Sequence, residues 1–408
     1  MTSNKIVLSA LAALTLGTVA ATAGDIKLYS DANGQVFTTA GEGRTELTKS
    51  TPTLASHASK LKFSGLTYIG YRYTDNDTKK EGTLISDAES SSQFEIRRGY
   101  FQLKAYLLDD PKSYYRLTFD VDQNDEHDLN VRAKYAYLYL NEILPSTGVE
   151  VGLVHRPWHD YEEHNAWYFR NISKVLIENK NAADLSNSAD FGINFKTKTQ
   201  YFDSEIGLFN GEGYHDVQNT STGMSLEWRA TAHLLGVNGK DKQNKKTYFD
   251  ASFFGQYNQE HKTQDVSGTD YENDLIFYGL HSVYNQPSFL ISAQYIMSED
   301  TAENSTYVSS QAGAGYSVNG EYRLGVDKEY RILGRYDSWT PEKSNSTDER
   351  EKRTYIAGFA WDQSKNIQWV ANATINDNEK NAYAIKDTKF YESTANGVSY
   401  MLTAQVEF

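Results

Sequence analysis

The chain has 408 residues and carries 40 Lys and Arg against 54 Asp and Glu, so that its formal net charge is −14 at pH 7. This acidic balance argues against nucleic acid as a partner. Cysteine is absent, which excludes a disulfide framework, a thiol nucleophile and a thiolate metal site. The 30 Tyr, 18 Phe and 6 Trp, with only 6 Pro, form a composition that favours strands.

Residues 1–23 are predicted to form a secretory signal peptide. Lys5 supplies positive charge, residues 6–20 form an apolar run, and residues 21–23 fit the small-residue cleavage pattern. The run is too short to anchor the chain in a membrane. We therefore expect export, with residues 24–60 as a periplasmic N-terminal extension that contains a hairpin with an Asn-Gly turn.

From residue 61 to residue 408 the sequence predicts sixteen strands in which apolar and polar residues alternate. Such a strand places one face against an apolar phase and the other against water. The mature chain of about 385 residues suits this strand number, at about 10 residues for each tilted strand plus connections. The predicted strands are 61–74, 94–107, 112–121, 131–140, 148–155, 190–198, 201–210, 223–235, 247–258, 274–285, 288–298, 311–324, 329–339, 351–362, 366–375 and 397–408.

The connections between these strands alternate in length. Long polar connections follow the odd-numbered strands and shorter turns follow the even-numbered ones, although the turn 236–246 is longer than the rest. Long loops at one end and short turns at the other are the pattern of a transmembrane β-barrel with both termini in the periplasm. The predicted long connections are 75–93, 122–130, 156–189, 211–222, 259–273, 299–310, 340–350 and 376–396.

The last strand indicates which side chains face lipid. Residues 398–408 alternate without a break, and the chain ends on Phe408. An open apolar edge invites aggregation, whereas a closed barrel pairs its last strand with its first. The segment therefore favours a membrane barrel over an ordinary C-terminal sandwich strand, and Phe408 is predicted to serve membrane assembly.

Two segments resemble the phosphate-selective porin O and P family of Gram-negative outer-membrane porins. One is FEIRRGYFQLK at residues 94–104, followed by a turn and YYRLTFD at 114–120. The other is VEVGLVHRPW at residues 149–158. The resemblance implies a sixteen-stranded trimeric pore that is narrowed by an inward-folded third extracellular loop. It does not by itself establish phosphate as the solute.

The alternation assigns a basic set of side chains to the lumen. If Phe408 faces lipid, residues of the opposite parity face water, although a slip of one residue reverses a strand's contribution. Strand two is ambiguous, because Glu95 and Arg97 share a parity with Phe101. Walls of one sign concentrate counter-ions, so we expect anion preference, with a mixed and weakly selective lining as the alternative. The candidate pore-lining residues are Arg72, Arg98, Lys104, Arg116, Arg132, Lys134, Lys196, Arg229, Arg323 and Arg335.

The third long connection is the predicted constriction. Its aromatic residues would anchor it to the barrel wall, and its opposed charges would set a transverse field across the opening. The candidate constriction residues are Arg156, His159, Glu162, Glu163, His164 and Arg170. The alternatives are an external, solvated loop and a transition-metal site at His159 and His164, whose spacing is not that of HExxH.

Aromatic residues near strand ends are predicted to face lipid and form interfacial girdles, with carbohydrate stacking as the alternative. They are Tyr135, Tyr137, Tyr139, Trp361, Trp369 and Tyr400.

The sequence thus predicts an all-β transmembrane antiparallel barrel in the outer membrane. Its expected function is that of a porin for passive diffusion of small hydrophilic solutes and ions, with anion preference and phosphate as a candidate. A non-conducting adhesin or structural barrel and an outer-membrane hydrolase are the alternatives, although no Gly-x-Ser-x-Gly elbow frames a serine. We expect no enzymatic activity, metal or cofactor. The expected partners are the lipid bilayer, lipopolysaccharide, the barrel-assembly machinery, small anions and further copies of the chain in a homotrimer.

Overall fold

The chain divides into two units, Met1–Leu61 and Lys62–Phe408. The predicted signal peptide and its cleavage site lie outside the described residues. Within the described ranges, no helix is long and apolar enough to cross a bilayer. The computed structural model describes residues 29–31, 35–37, 39–46, 60–77, 90–106, 110–123, 128–215, 223–236, 246–266, 269–300, 311–342, 351–378, 384–386, 389–391 and 396–408.

The first unit contains a small antiparallel sheet. Strand β1 (Tyr29–Asp31) pairs with β2 (Val36–Phe37) on one side and with β3 (Arg44–Glu46) on the other. The first pair lies where the sequence predicts a hairpin, and its Asn-Gly turn lies outside the described residues. Strand β3 was not predicted. The periplasmic position of this unit stays a prediction.

The second unit is a closed antiparallel barrel of sixteen strands, which confirms the predicted fold class. Each predicted strand corresponds to one barrel strand. The strands β19 (Ala384–Lys386) and β20 (Lys389–Tyr391) form a separate hairpin. The barrel strands are β4 Leu61–Asp77, β5 Ser91–Ala105, β6 Tyr114–Gln123, β7 Leu129–Leu144, β8 Thr147–His155, β9 Ala189–Lys198, β10 Phe202–Phe209, β11 Ser225–His233, β12 Tyr248–Val266, β13 Thr269–Gln286, β14 Phe289–Asp300, β15 Gly313–Leu324, β16 Tyr330–Pro341, β17 Lys352–Asp362, β18 Ile367–Asn378 and β21 Asn396–Glu407.

The last strand closes the barrel against the first. Strand β21 pairs with β4 from Asn396 to Glu407. Beyond that ladder, the Phe408 N–H donates to the Gly65 carbonyl at 3.1 Å, and the Gly65 N–H donates to the Phe408 carbonyl at 3.0 Å. The Phe408 ring covers Gly65 closely, since a Cβ there would come within 2.2 Å of the ring. The role of Phe408 in membrane assembly stays a prediction.

Strand alternation separates an exposed outer face from a buried inner face. In β21, Tyr400 and Leu402 are 54% and 50% exposed, whereas Met401 and Thr403 are buried. Trp361 and Trp369 are also exposed on the outer face. The prediction for Tyr135 and Tyr137 is wrong, because both are buried inside the barrel.

A bulge in β7 explains that error. Thr118 of β6 pairs with Tyr135 and Phe119 pairs with Ala133, so that Lys134 has no partner across the ladder. The extra residue turns Lys134 and Tyr135 to the same side, which strict alternation does not allow. The aromatic residues that follow in β7 therefore face the interior.

A second change of parity resolves the ambiguity of β5. Phe94 and Phe101 are exposed on the outer face although their sequence numbers differ in parity. Between them, Arg97 contacts the carbonyl of Ile172 and Arg98 contacts Asp120, both inside the barrel. The two consecutive arginines therefore face inward.

The predicted long connection 259–273 is wrong. Strands β12 and β13 continue to pair as far as Val266 and Thr269, so that only residues 267–268 separate them. Polar strands continue to pair in water because the ladder satisfies their backbone groups without an apolar face. A register shift between Asn258 and Lys262 marks the point where this extension begins.

The connection between β8 and β9, residues 156–188, folds into the barrel; we call it the constriction loop. It begins with helix α1 (Pro157–Asn165), whose Trp158 ring stacks on Phe254 of β12 with centroids 3.7 Å apart. The Tyr168 hydroxyl lies 2.9 Å from the Tyr248 hydroxyl. This placement excludes the external, solvated loop. The wall residues that it buries include Phe254, Phe277, Ile296, Leu333, Ile356, Val370 and Met401.

Candidate solute pathway

Three cavities lie between the constriction loop and the wall formed by β18, β21 and β4 to β7. The outer chamber, of about 470 Å³, lies toward the long connections and contains Arg72 and Arg98. The middle chamber, of about 480 Å³, contains Arg116 and Lys134. The inner chamber, of about 980 Å³, lies at the short turns and includes Glu407.

The three chambers are contiguous because they share lining residues. Tyr68 and Arg170 line both the outer and the middle chamber. Tyr168, Gln405 and Glu407 line both the middle and the inner chamber. Together the neighbouring chambers extend from the loop end of the barrel to the turn end.

The outer chamber is strongly basic. Among the described residues that line it there is no Asp or Glu side chain. Its cations do have carboxylate partners behind them, but each of three carboxylates serves two cations. The lining cations are Arg72, Arg97, Arg98, Arg132, Arg170, Lys174 and Lys180.

The first two carboxylates lie on strands. Glu95 lies 2.8 Å from the Arg72 guanidinium and 3.4 Å from that of Arg97. Asp120 lies 2.8 Å from Arg98 and 4.0 Å from Arg132. Each of these two carboxylates is therefore shared between two cations of the chamber.

The third carboxylate lies in the constriction loop. Glu178 lies 2.8 Å from Arg170 and 3.0 Å from Lys174, and Glu163 also contacts Arg170. Burial alone would raise the pKa of the Glu178 carboxyl, but the two cations outweigh burial and hold this pKa well below its usual range. The junction between the outer and middle chambers therefore keeps its charges at neutral pH.

Four predicted pore-lining cations are instead buried anchors of the constriction loop and the wall. Arg229 donates to the Pro157 carbonyl at 3.2 Å and Arg335 donates to the Lys174 carbonyl at 3.0 Å. Arg323 donates to Asn285 at 2.8 Å. The three arginines are at most 4% exposed, and none of them lines one of the three chambers.

Lys196 is the fourth anchor. Its ammonium lies 3.4 Å from Glu150, 3.4 Å from Glu205 and 3.7 Å from Asp160 of helix α1. Three carboxylates around one lysine leave no excess positive charge at this place. The prediction that these four side chains line the channel is therefore wrong. Lys104 is half-buried, with its ammonium 4.6 Å from the centre of the Tyr114 ring.

The six candidate residues of the constriction loop lie in two different places. Glu163, His164 and Arg170 line the middle chamber. Arg156, His159 and Glu162 are buried at 1–2% exposure, and their predicted place at the constriction is wrong. The helix turns these three toward the far wall, because α1 packs that face against the barrel.

The structure does not bring the two histidines of the loop together at a metal site. Burial lowers the pKa of His159 to about 3, whereas His164 is exposed beside Asp160, with 3.3 Å between ring nitrogen and carboxylate. In the described part of the chain, no group of three His, Asp or Glu side chains is close enough to hold a metal ion.

We expect the docking of the constriction loop to weaken as pH rises, through Glu162. Burial raises the pKa of this carboxyl to about 7 from an ordinary value of 4.5, while nearby Arg335 opposes the shift. The protonated carboxyl is the form that the folded loop favours, so its contribution to the free energy of docking is fully present below pH 4.5. This contribution, roughly 3 kcal/mol, is lost as pH rises through 7.

Glu162→Gln should remove this pH dependence, because the amide stays neutral and keeps an oxygen toward the Gln294 amide donor. Hydrogen exchange of residues 157–188 at pH 5.5 and 8.5, corrected for intrinsic rates, measures it. The same pH dependence in the variant as in the wild type would refute the assignment.

Comparisons with known proteins show the fold. No family model matches the chain, and no curated protein matches it. A trimer form of in-vitro folded OmpT, an outer-membrane protein of Vibrio cholerae, has a TM-score of 0.56 at 12% identity, over 85% of this chain and 99% of that chain. OmpF of Salmonella typhi, in complex with daunomycin, has a TM-score of 0.53 at 11% identity, over 85% of this chain and 97% of that chain.

At 11–12% identity, these similarities show the architecture of the chain but do not identify a solute. The closed barrel of sixteen antiparallel strands is the fold of outer-membrane β-barrel proteins, and it supports a location in the outer membrane.

Proposed function

We propose that the protein is an outer-membrane porin through which small hydrophilic solutes and ions diffuse passively, with a preference for anions. The observation that carries this proposal is the series of three neighbouring chambers between the two ends of the barrel, of which the outer one has a cationic lining. Passive diffusion requires no enzymatic step and no cofactor. Export through the predicted signal peptide is part of the same proposal.

Anion preference follows from the distribution of charge along the path. The chain is acidic as a whole, with a net charge of −14, yet seven cations line the outer chamber and the described residues pair four carboxylates with them. A narrow aqueous path with walls of one sign raises the local concentration of counter-ions. The inner chamber carries carboxylates of its own, among them Asp327, Glu329 and Asp362.

The finer assignment follows the resemblance to the phosphate-selective porin O and P family. Its two segments correspond to β5 with β6 and to β8 with the start of α1. They contribute Arg97 and Arg98 to the outer chamber and Arg116 to the middle chamber. We propose phosphate as a candidate solute on this ground. We also propose a homotrimer, a form that OmpT of Vibrio cholerae adopts.

The purified protein should open stable water-filled conductances in a planar bilayer, because the neighbouring chambers extend from one end of the barrel to the other. The measurement is the single-channel current in potassium chloride, with heat-unfolded protein as the control. Folded, inserted protein that carries no current would refute the porin and favour an adhesin or a structural barrel.

A further inference from the structure

Two cations of the middle chamber lack a carboxylate partner. The Arg116 guanidinium donates to the Tyr137 hydroxyl at 3.3 Å, lies 3.1 Å from His155 Nε2, and lies 4.6 Å from the centre of the Tyr135 ring. Within the described residues no Asp or Glu forms an ion pair with it. Its partners are therefore neutral groups and ring faces.

Lys134 has the same kind of surroundings. It is 3% exposed, and its ammonium donates to the Tyr100 hydroxyl at 3.3 Å. The ammonium lies 4.7 Å from the centre of the Tyr100 ring and 5.5 Å from that of Tyr135. Among the described side chains none supplies a carboxylate to it. Arg116 and Lys134 thus lie beside the same Tyr135 ring in the middle chamber.

A cation removed from water without a counter-ion is costly, and ring faces compensate only part of that cost. Arg72, Arg98 and Arg170 of the outer chamber do not have this problem, since Glu95, Asp120 and Glu178 accompany them. The pair Arg116 and Lys134 is therefore a place where an anion from solution completes the charge balance.

The carboxylates of the middle chamber are already engaged. Asp160 lies 3.6 Å from His155, 3.3 Å from His164 and 3.7 Å from Lys196. Glu163 contacts Arg170, and Glu407 accepts a hydrogen bond from Gln405 at 2.6 Å. Among the described residues none of these carboxylates forms an ion pair with Arg116 or Lys134, although Asp160 attracts Arg116 at longer range.

The walls around the two cations are aromatic. Tyr68, Tyr100, Tyr135 and Tyr168 line the middle chamber, and the rings of Tyr68 and Tyr100 meet edge to face with centroids 6.5 Å apart. Flat apolar surfaces beside a cation pair favour a flat apolar body that carries one negative group, because ring contacts add to the charge contact. Inorganic anions make the charge contact alone.

We propose that the middle chamber binds an aromatic carboxylate. Its carboxylate accepts hydrogen bonds from the Arg116 guanidinium and the Lys134 ammonium, and its ring lies among the tyrosines of the chamber. This inference rests on the proposed function, since it names the class of solute that the path selects. Charge-assisted hydrogen bonds fix the orientation, and the cavity of about 480 Å³ has room for a single-ring acid.

The test is calorimetric titration of the folded protein in detergent with benzoate, cyclohexanecarboxylate, acetate and inorganic phosphate. Benzoate should bind about fivefold more tightly than cyclohexanecarboxylate, which matches it in charge and ring size but is not aromatic. Acetate and phosphate should bind more weakly than both. Phosphate binding tighter than benzoate, or equal affinities for the two ring acids, would overturn the inference.

Two variants locate the site. Arg116→Met and Lys134→Met should each weaken benzoate binding by about tenfold or more, because each removes one charge-assisted hydrogen bond. The matched control is Lys112→Met, an exposed turn lysine outside the chambers that lies 3.8 Å from Glu142. Unchanged affinity in both chamber variants would place binding elsewhere. The titration does not depend on conductance, so it separates the two proposals. Benzoate binding by a protein that does not conduct would refute only the proposed porin function. A conducting protein that does not bind benzoate would refute only this inference.

Discussion

Arg156→Met is expected to release the constriction loop from the barrel wall. The Arg156 guanidinium is 2% exposed, donates to Asp190 at 2.7 Å and lies 3.4 Å from Glu227. Methionine matches the length of the side chain but leaves two buried carboxylates without a counter-charge. Breaking a buried ion pair from one side costs about 3–5 kcal/mol. Because Arg156 is the first residue of the constriction loop, we expect the loss of its ion pairs to weaken the docking of that loop against the wall.

Trypsin digestion of the folded protein measures the release. The loop offers half-buried cleavage sites at Arg170 and Lys174, which docking shields, whereas Lys180 is exposed in the docked loop and its cleavage is scored separately. A cost of this size should raise the rate of cleavage by about a hundredfold or more where opening precedes cleavage. The control is Arg353→Met, which removes a half-exposed guanidinium paired with Glu351 and should change the rate little. Equal cleavage of both variants would contradict the anchoring role.

Trp158→Ala is expected to loosen the same loop through loss of packing. The Trp158 ring stacks on Phe254 with 3° between the ring planes and lies 5.0 Å from the ring centre of His281. It is 3% exposed, and truncation of such a ring costs about 3–5 kcal/mol because the cavity does not refill. The loop then leaves the wall, so the single-channel conductance should rise and fluctuate.

Trp228→Ala is the matched control for that measurement. Trp228 lies on the outer face, where its ring centre is 6.3 Å from that of exposed Phe253, and it does not touch the constriction loop. The single-channel conductance of the Trp228→Ala variant should equal that of the wild type. A wild-type conductance in Trp158→Ala would show that the Trp158 stack does not hold the loop.

The strands of the barrel were predictable because lipid and water impose a period of two on a single-layered wall. The terminal Phe408 set the parity correctly for β21, where Tyr400 is exposed and Met401 is buried. Parity failed in β7, because a bulge adds a residue and reverses the faces beyond it. Parity also failed in β5, where consecutive Arg97 and Arg98 both face inward. The bulge in β7 has no composition signal of its own.

The lining itself was only partly predictable. Arg116 and Arg229 both face inward from alternating strands, and only the position of the constriction loop separates a chamber residue from a buried anchor. One signal for that position was present in the sequence. Phe254, Leu333 and Ile356 are apolar residues at inward positions. Apolar side chains are unfavourable on a wall that contacts water, so such residues indicate the surface that the loop covers.

The reversal potential of the open channel in a potassium chloride gradient tests the central claim most directly. Seven cations line the outer chamber and four carboxylates of the described residues pair with them, and this excess predicts the sign of chloride preference. Combined Arg97→Gln and Arg98→Gln should move the potential toward zero, because it leaves Glu95 with Arg72 and Asp120 with Arg132 as single pairs. A wild-type potential with the sign of potassium preference would contradict the account.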